Sequence, residues 1–188
     1  LTAGGLITLT AEDEIGDHAT FSDQELELAS GSSVDASSTT VGTIRLDGLG
    51  DLTLTDVDTT NGTISVSTGG AIVATDVVSG GTTKDVTLTS ASGAVTGTLI
   101  KSSGSMTITA SSGTVELVDV DTTNGSITVS ATGLITATDV VTGNNNNISL
   151  TGNGIAVSLI NAGTTGDVTL NAGTGAITQD VTDDKDDV

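Results

Sequence analysis

Apolar residues recur along this chain in short alternating pairs flanked by threonine or serine, and the pairs return at a nearly constant interval. Ile64/Val66, Val86/Leu88, Met106/Ile108, Ile127/Val129, Ile148/Leu150 and Val168/Leu170 follow one another at spacings of 22, 20, 21, 21 and 20 residues. Alternation with period two marks a strand with one covered face, and no stretch carries the helical period. A second apolar run follows at Ile72, Val95, Val115, Ile135, Ile155 and Ile177, and a third near Val77, Leu99, Val118, Val140 and Leu159. Each unit closes on Gly or Asn, which suit tight turns.

A longer repeat lies over the short one. LTDVDTTNGTISVSTGGAIVATDVVSG, from Leu54 to Gly80, returns as LVDVDTTNGSITVSATGLITATDVVTG from Leu117 to Gly143, a shift of 63 residues or three units of 21. Antiparallel hairpins would need a two-residue primed turn at each reversal. A constant register instead stacks each residue on the one a unit later. The expected fold is therefore all-β: a single-chain, right-handed parallel β-helix, a three-faced solenoid of about 20–22 residues per coil and roughly nine coils. The hand follows the general preference of parallel crossovers. Within TLT or TIT the aliphatic residue faces inward and the threonines outward.

The pattern divides the chain into three parts. Residues 1–43 read as irregular N-terminal coils, in which Leu6/Ile7 to Leu26/Leu28 keeps the period at 20 and Ala11 to Gln24 forms an acidic loop. Residues 44–181 are the regular β-helix repeats. Residues 182–188, TDDKDDV, read as an acidic tail or linker. Neither end carries an amphipathic cap, and Leu1 is no initiator Met, so the expectation is an interior slice of a longer chain or a unit that stacks end to end or side by side.

Composition narrows the function classes. The formal net charge is −20, from 24 acids against Lys84, Lys101, Lys185 and Arg45. Such a surface repels phosphate, which argues against nucleic acid and anionic membranes as partners. No apolar run reaches the length of a membrane helix, so no membrane insertion is expected. Cys, Pro, Trp and Tyr are absent, which removes disulfides, thiolate zinc sites and thiol nucleophiles. A single histidine, His18, excludes a multi-histidine metal site and a second catalytic His.

Three features carry candidate chemistry. The loop DVDTTNG occurs twice, with Asp56, Asp58 and Asn61 and then Asp119, Asp121 and Asn124. Asp76 lies 20 residues after Asp56 and Asp139 lies 20 after Asp119, while Asp35 and Asp180 share the phase. Carboxylates in successive coils then line one edge of the rod, where an oxygen-liganded cation such as Ca²⁺ relieves their repulsion. The six candidate ligands are Asp56, Asp58, Asp76, Asp119, Asp121 and Asp139; the competing reading makes them hydrated corner residues. The second feature is an outward hydroxyl ladder: Thr53/Thr55, Ser65/Ser67, Thr87/Thr89, Thr107/Thr109, Thr128/Ser130, Ser149/Thr151 and Thr169/Asn171. It resembles the flat face of β-solenoid ice-binding modules, and it is also what a half-exposed strand selects. The third is acid–base catalysis on polysaccharide by paired Asp residues. With no aromatic sugar platform and with Lys84, Lys101 and Arg45 out of register, the expectation is no enzyme.

Smaller signals add little. His18 sits among Glu12, Asp13, Glu14 and Asp17 as a loop histidine, and Asn144 to Asn147 reads as a turn insertion. Asn61, Asn124 and Asn147 stand in glycosylation sequons.

The segments ITLTAEDEIGD (Ile7 to Asp17), DVTLTSASGAVTG (Asp85 to Gly97) and DVTLNAGTGAIT (Asp167 to Thr178) resemble the repeats of filamentous-haemagglutinin-like bacterial exoproteins. The resemblance covers most of the chain. It implies a secreted or surface-attached adhesin or filament, a right-handed β-helical shaft, and ligands on host or neighbouring cells reached through other domains of the parent chain. The expected function is a structural shaft or spacer, with an ice-binding module and a polysaccharide-active enzyme as alternatives.

Overall fold

A computed structural model describes residues 1–16 and 25–179. Seventeen short strands follow one another without a helix among the described residues. The odd-numbered strands are β1 (Leu6–Ala11), β3 (Ser32–Ser38), β5 (Leu52–Thr59), β7 (Ile72–Ser79), β9 (Val95–Ser102), β11 (Val115–Thr122), β13 (Ile135–Thr142), β15 (Ile155–Asn161) and β17 (Ile177–Gln179). They form one nine-stranded sheet in chain order. The even-numbered strands are β2 (Leu26–Leu28), β4 (Ile44–Gly48), β6 (Ile64–Thr68), β8 (Val86–Ser90), β10 (Met106–Ala110), β12 (Ile127–Ala131), β14 (Ile148–Thr151) and β16 (Val168–Asn171). They form an eight-stranded sheet, again in order. Every pairing is parallel, from β1 with β3 to β15 with β17. Over the described residues the chain is thus a parallel β-helix of about eight turns.

The third face comes from a bend inside the long odd strands. In β5 the inward residues are Leu52 and Leu54, then Val57 and Thr59, so alternation breaks at the adjacent outward pair Thr55 and Asp56. The same break occurs at Thr75/Asp76 in β7 and Thr138/Asp139 in β13. Two successive outward residues cannot lie on one pleat, so the strand turns a corner there. Consequently the third inward column runs through Val57, Val77, Ile100, Val120, Val140 and Ile160. Placing the third run at Leu99, Val118 and Leu159 was off by one or two positions. Val118 and Leu159 are exposed, and Leu99 occupies the corner column beside Asp119.

The interior is one continuous aliphatic core along the axis. Size varies down one of its columns, where Leu54, Ala74, Gly97, Leu117, Ala137 and Val157 are successive register partners. A Cβ on Gly97 would stand 2.5 Å from Ile100 Cδ1 and 3.1 Å from Leu117 Cδ2, so its missing side chain is filled by neighbours.

A buried hydroxyl column closes the odd strands: Ser38, Thr59, Ser79, Ser102, Thr122 and Thr142. From Thr59 onward their hydroxyls bond carbonyls of the turns that follow. Thr59 Oγ1 donates to Gly62 O at 2.6 Å, Ser79 Oγ to Lys84 O at 2.7 Å, and Thr142 Oγ1 to Asn146 O at 2.8 Å. Turn backbones approach so closely that a Cβ on Gly62 would fall 1.7 Å from Gly42 O.

The N-terminal coil departs from the expected period. Leu6 pairs with Ser33 and Ile7 with Val34, an offset of 27 residues. Leu26 and Leu28 lie in the other sheet, against Leu46 and Gly48. The coil is longer because its even-sheet path is split: Ile15 bridges Ile44, and Leu26 then resumes the same path. Between them fall residues 17–24, which with His18 lie outside the described residues, as do Asp180 and the 182–188 tail.

Candidate functional site

The corner that bends the odd strands gathers the acids. Its first outward column runs Asp35, Asp56, Asp76, Leu99, Asp119, Asp139 and Leu159, since Asp35 pairs Asp56, Asp76 pairs Leu99, and Asp119 pairs both Leu99 and Asp139. Two residues on, a second outward column runs Ser37, Asp58, Val78, Lys101, Asp121, Val141 and Asn161. The acids of successive coils therefore do share one edge, as the spacing predicted. The edge is not continuous, however: Leu99 splits it into an upstream and a downstream group.

In the upstream group, carboxylate oxygens of Asp56, Asp58 and Asp76 lie within 4.8 Å of one another. Asp58 Oδ1 and Asp76 Oδ1 are buried without a hydrogen-bond partner. Burial is the largest reason why the Asp58 carboxyl is pushed up to about 6; the charges of Asp56 and Asp76, a hydrogen bond with Asp56 and the charge of Asp35 add to it. Asp76 is raised too, by burial and by Asp56, with Lys101 pulling weakly the other way.

The downstream group is the 63-residue copy and has its own cation. Lys101 Nζ stands 3.1 Å from Asp121 Oδ2 and 3.5 Å from Asp119 Oδ2. Its side chain is 42% exposed, so the pairs are of the surface kind. The hydrogen bond with Asp121 is the main reason the Lys101 ammonium is held above its ordinary value. Asp139, one coil further, is raised by burial and by Asp121 and Asp119, and its Oδ1 has no partner.

The even sheet presents a different surface. Ser65/Ser67 pair with Thr87/Thr89, these with Thr107/Thr109, and these with Thr128/Ser130. Ser149/Thr151 and Thr169/Asn171 continue both columns. Six coils thus offer two straight rows of hydroxyls and one amide, with no charge, on a chain of net charge −20. Thr53/Thr55 do not belong to this face: they sit on β5, in the other sheet, where Thr55 Oγ1 meets Ser33 Oγ at 3.0 Å. Arg45 and Asp47 hold the corresponding positions on β4.

The turns carry side-chain clips that single-letter patterns conceal. Asp51 Oδ1 accepts from Ala71 N at 2.8 Å, Asp85 Oδ1 from Ser105 N at 2.7 Å, and Asn147 Oδ1 from Asp167 N at 2.9 Å. Asn144 Nδ2 donates to Asn124 Oδ1 at 2.6 Å. Each acceptor reaches one coil ahead, about 20 residues on, which is the clue available in the sequence. Asn124 and Asn147 are exposed and Asn61 half-buried. No helix is long and apolar enough to cross a membrane among the described residues.

Comparison of the chain with protein families, curated proteins and solved structures finds no match.

Proposed function

We propose that this chain is a stiff spacer, a length of shaft in a large secreted or surface-attached bacterial adhesin or filament. The observation that carries the reading is the unbroken parallel ladder through both sheets over one continuous core. Each coil gains its stability from its neighbours, so the structure extends by repetition and resists bending. The repeat style resembles that of filamentous-haemagglutinin-like exoproteins and supports the same role. Contact with host or neighbouring cells then falls to other domains of the parent chain, and the acidic surface keeps the rod soluble. The test is the intact mass of the parent polypeptide, detected on the producing cell with antibody to this chain. A mass many times 18.3 kDa is expected. A mass near 18.3 kDa would overturn the spacer reading.

One observation favours a second reading. The uncharged, in-register hydroxyl face of the even sheet supports an ice-binding module, in which the rod itself is the active object. That reading expects thermal hysteresis from the isolated chain, lost when Thr107 and Thr109 are both replaced by Lys. Ordinary freezing behaviour of the isolated chain removes it.

A further inference from the structure

Asparagine is followed by glycine three times, at Asn61–Gly62, Asn124–Gly125 and Asn153–Gly154. In this dipeptide ring closure onto the side-chain amide is least hindered, because glycine brings no Cβ beside the attacking nitrogen. The first two pairs are twins, related by the 63-residue repeat and set in the same TTNG turn. Each turn leads from an odd strand into an even one, from β5 to β6 and from β11 to β12. The coils around them nevertheless hold the two amides differently.

Asn124 is clipped from both sides. Its Oδ1 accepts from Asn144 Nδ2 at 2.6 Å in the coil that follows, and its Nδ2 donates to Ser103 O at 3.3 Å in the coil before. The upstream counterpart of Asn144 is Gly81, which has no side chain to reach Asn61. Both positions have left-handed backbone, with φ 94° at Gly81 and 50° at Asn144. Among the described residues no hydrogen bond holds the Asn61 amide, and Gly62 N donates none of the turn hydrogen bonds. The third pair is held in another way: Asn153 Oδ1 accepts from Thr174 Oγ1 at 2.8 Å, and Gly154 N donates to Ala172 O at 3.0 Å.

We propose that Asn61 is a site of spontaneous deamidation and isomerisation, and that Asn144 protects its twin. Gly62 N gives up its proton and bonds Asn61 Cγ, the Cγ–Nδ2 bond breaks, and the amide nitrogen leaves with that proton as ammonia. Water then opens the cyclic imide at either carbonyl and leaves aspartate or isoaspartate. Either product adds an anion to the turn. Isoaspartate also inserts one more carbon into the main chain just ahead of Gly62. That residue's O accepts from Thr59 Oγ1 at 2.6 Å, and a Cβ on it would fall 1.7 Å from Gly42 O, so the turn has no slack to absorb the insertion.

The experiment is incubation of the full chain in mildly alkaline buffer, folded and in urea, followed by tryptic mapping with fragmentation. Cleavage after Arg45, Lys84 and Lys101 places Asn61 and Asn124 on separate peptides. In urea the shared TTNG sequence gives each site its unrestrained rate. Relative to those rates, Asn61 in the folded chain should convert about fivefold or more faster than Asn124, the factor that one net hydrogen bond supplies. Gly81→Asn should slow Asn61, since asparagine tolerates left-handed backbone. Asn144→Gly should bring Asn124 up to the rate of Asn61. Circular dichroism of each variant confirms that the coils persist. Equal folded rates overturn the proposal, as does an Asn61 that stays intact when folded while urea converts it. Rates untouched by either exchange overturn the role assigned to Asn144. The intact mass of the parent chain is indifferent to all of these outcomes, so the site and the spacer reading fail separately.

Discussion

At the scale of single residues, the corner acids set an unusual dependence on pH. Asp58 titrates near 6 in the folded chain, above the ordinary carboxyl value of 3.8, so folding takes up a proton between those limits. The penalty of holding it charged is therefore present at neutral pH and fades as pH falls through about 6. Asp76 and Asp139 are shifted the same way. After allowing for solvent screening at a half-exposed group, the gain is on the order of 1 kcal/mol. Thermal melts in low salt without divalent ions should give a higher Tm at about pH 5 than at about pH 7.5, and Asp58→Asn should narrow the gap. A native Tm that falls with acidification would contradict this. The buried hydroxyls act at the same scale. Thr59→Val keeps the shape but leaves Gly62 O without its donor, at a cost of about 1–2 kcal/mol, whereas Thr87→Val on the outer face should be near neutral. Chemical denaturation compares the two directly.

At the scale of elements, the strands are held to their register by what fits between coils. Gly97 shows this most sharply, because a Cβ there meets Ile100 and Leu117 inside the core. Gly97→Val, though better suited to a strand by propensity, should destabilise by about 1–3 kcal/mol. Gly97→Val combined with Leu117→Ala should recover part of the loss, measured as a double-mutant cycle. The even strands and the first arm of each odd strand were legible in the sequence because their apolar alternation is clean. The second arm was harder. The corner inserts two successive outward residues, and in β9, β11 and β15 one of these is aliphatic: Leu99, Val118 and Leu159. Hydrophobicity alone cannot tell such a corner residue from its inward neighbour, whereas the Asp-Val pairs at Asp56, Asp76 and Asp139 mark the step plainly. The first coil misled for a related reason. Leu26 and Leu28 repeat the spacing of Leu6 and Ile7, yet Ile15 reaches the even sheet first and the path resumes only at Leu26. The acidic edge was legible as a phase; its division by Leu99 and the ammonium in only one half follow from the two-column corner and needed three dimensions.

At the scale of the whole molecule, a solenoid should tolerate changes in length by whole coils and resist any other. Ile135 pairs with Ile155, and Leu134 and Gly154 stand immediately before them. Removing residues 135–154 therefore joins Leu134 to Ile155 with each sheet still in phase. The product loses one rung from each sheet and shortens by about 4.8 Å, the spacing of neighbouring strands. Its two-state unfolding should survive at slightly lower stability, since one interface between coils is lost and one new interface of the same kind replaces its neighbours. Removing only residues 135–144 is a smaller deletion but a worse one. It brings β14 to where β13 belongs, so short even-sheet strands follow long bent ones out of order. The coil then lacks both arms of β13 and the corner between them, and Val120 loses the cover of Val140. Small-angle scattering and calorimetry distinguish the cases: the whole-coil deletion should give a shorter rod of unchanged cross-section with a single sharp transition, and the half-coil deletion a broadened, less cooperative one. Equal damage from both would mean that the coils are not interchangeable units, and the rod would then owe its stability to particular side chains rather than to repetition.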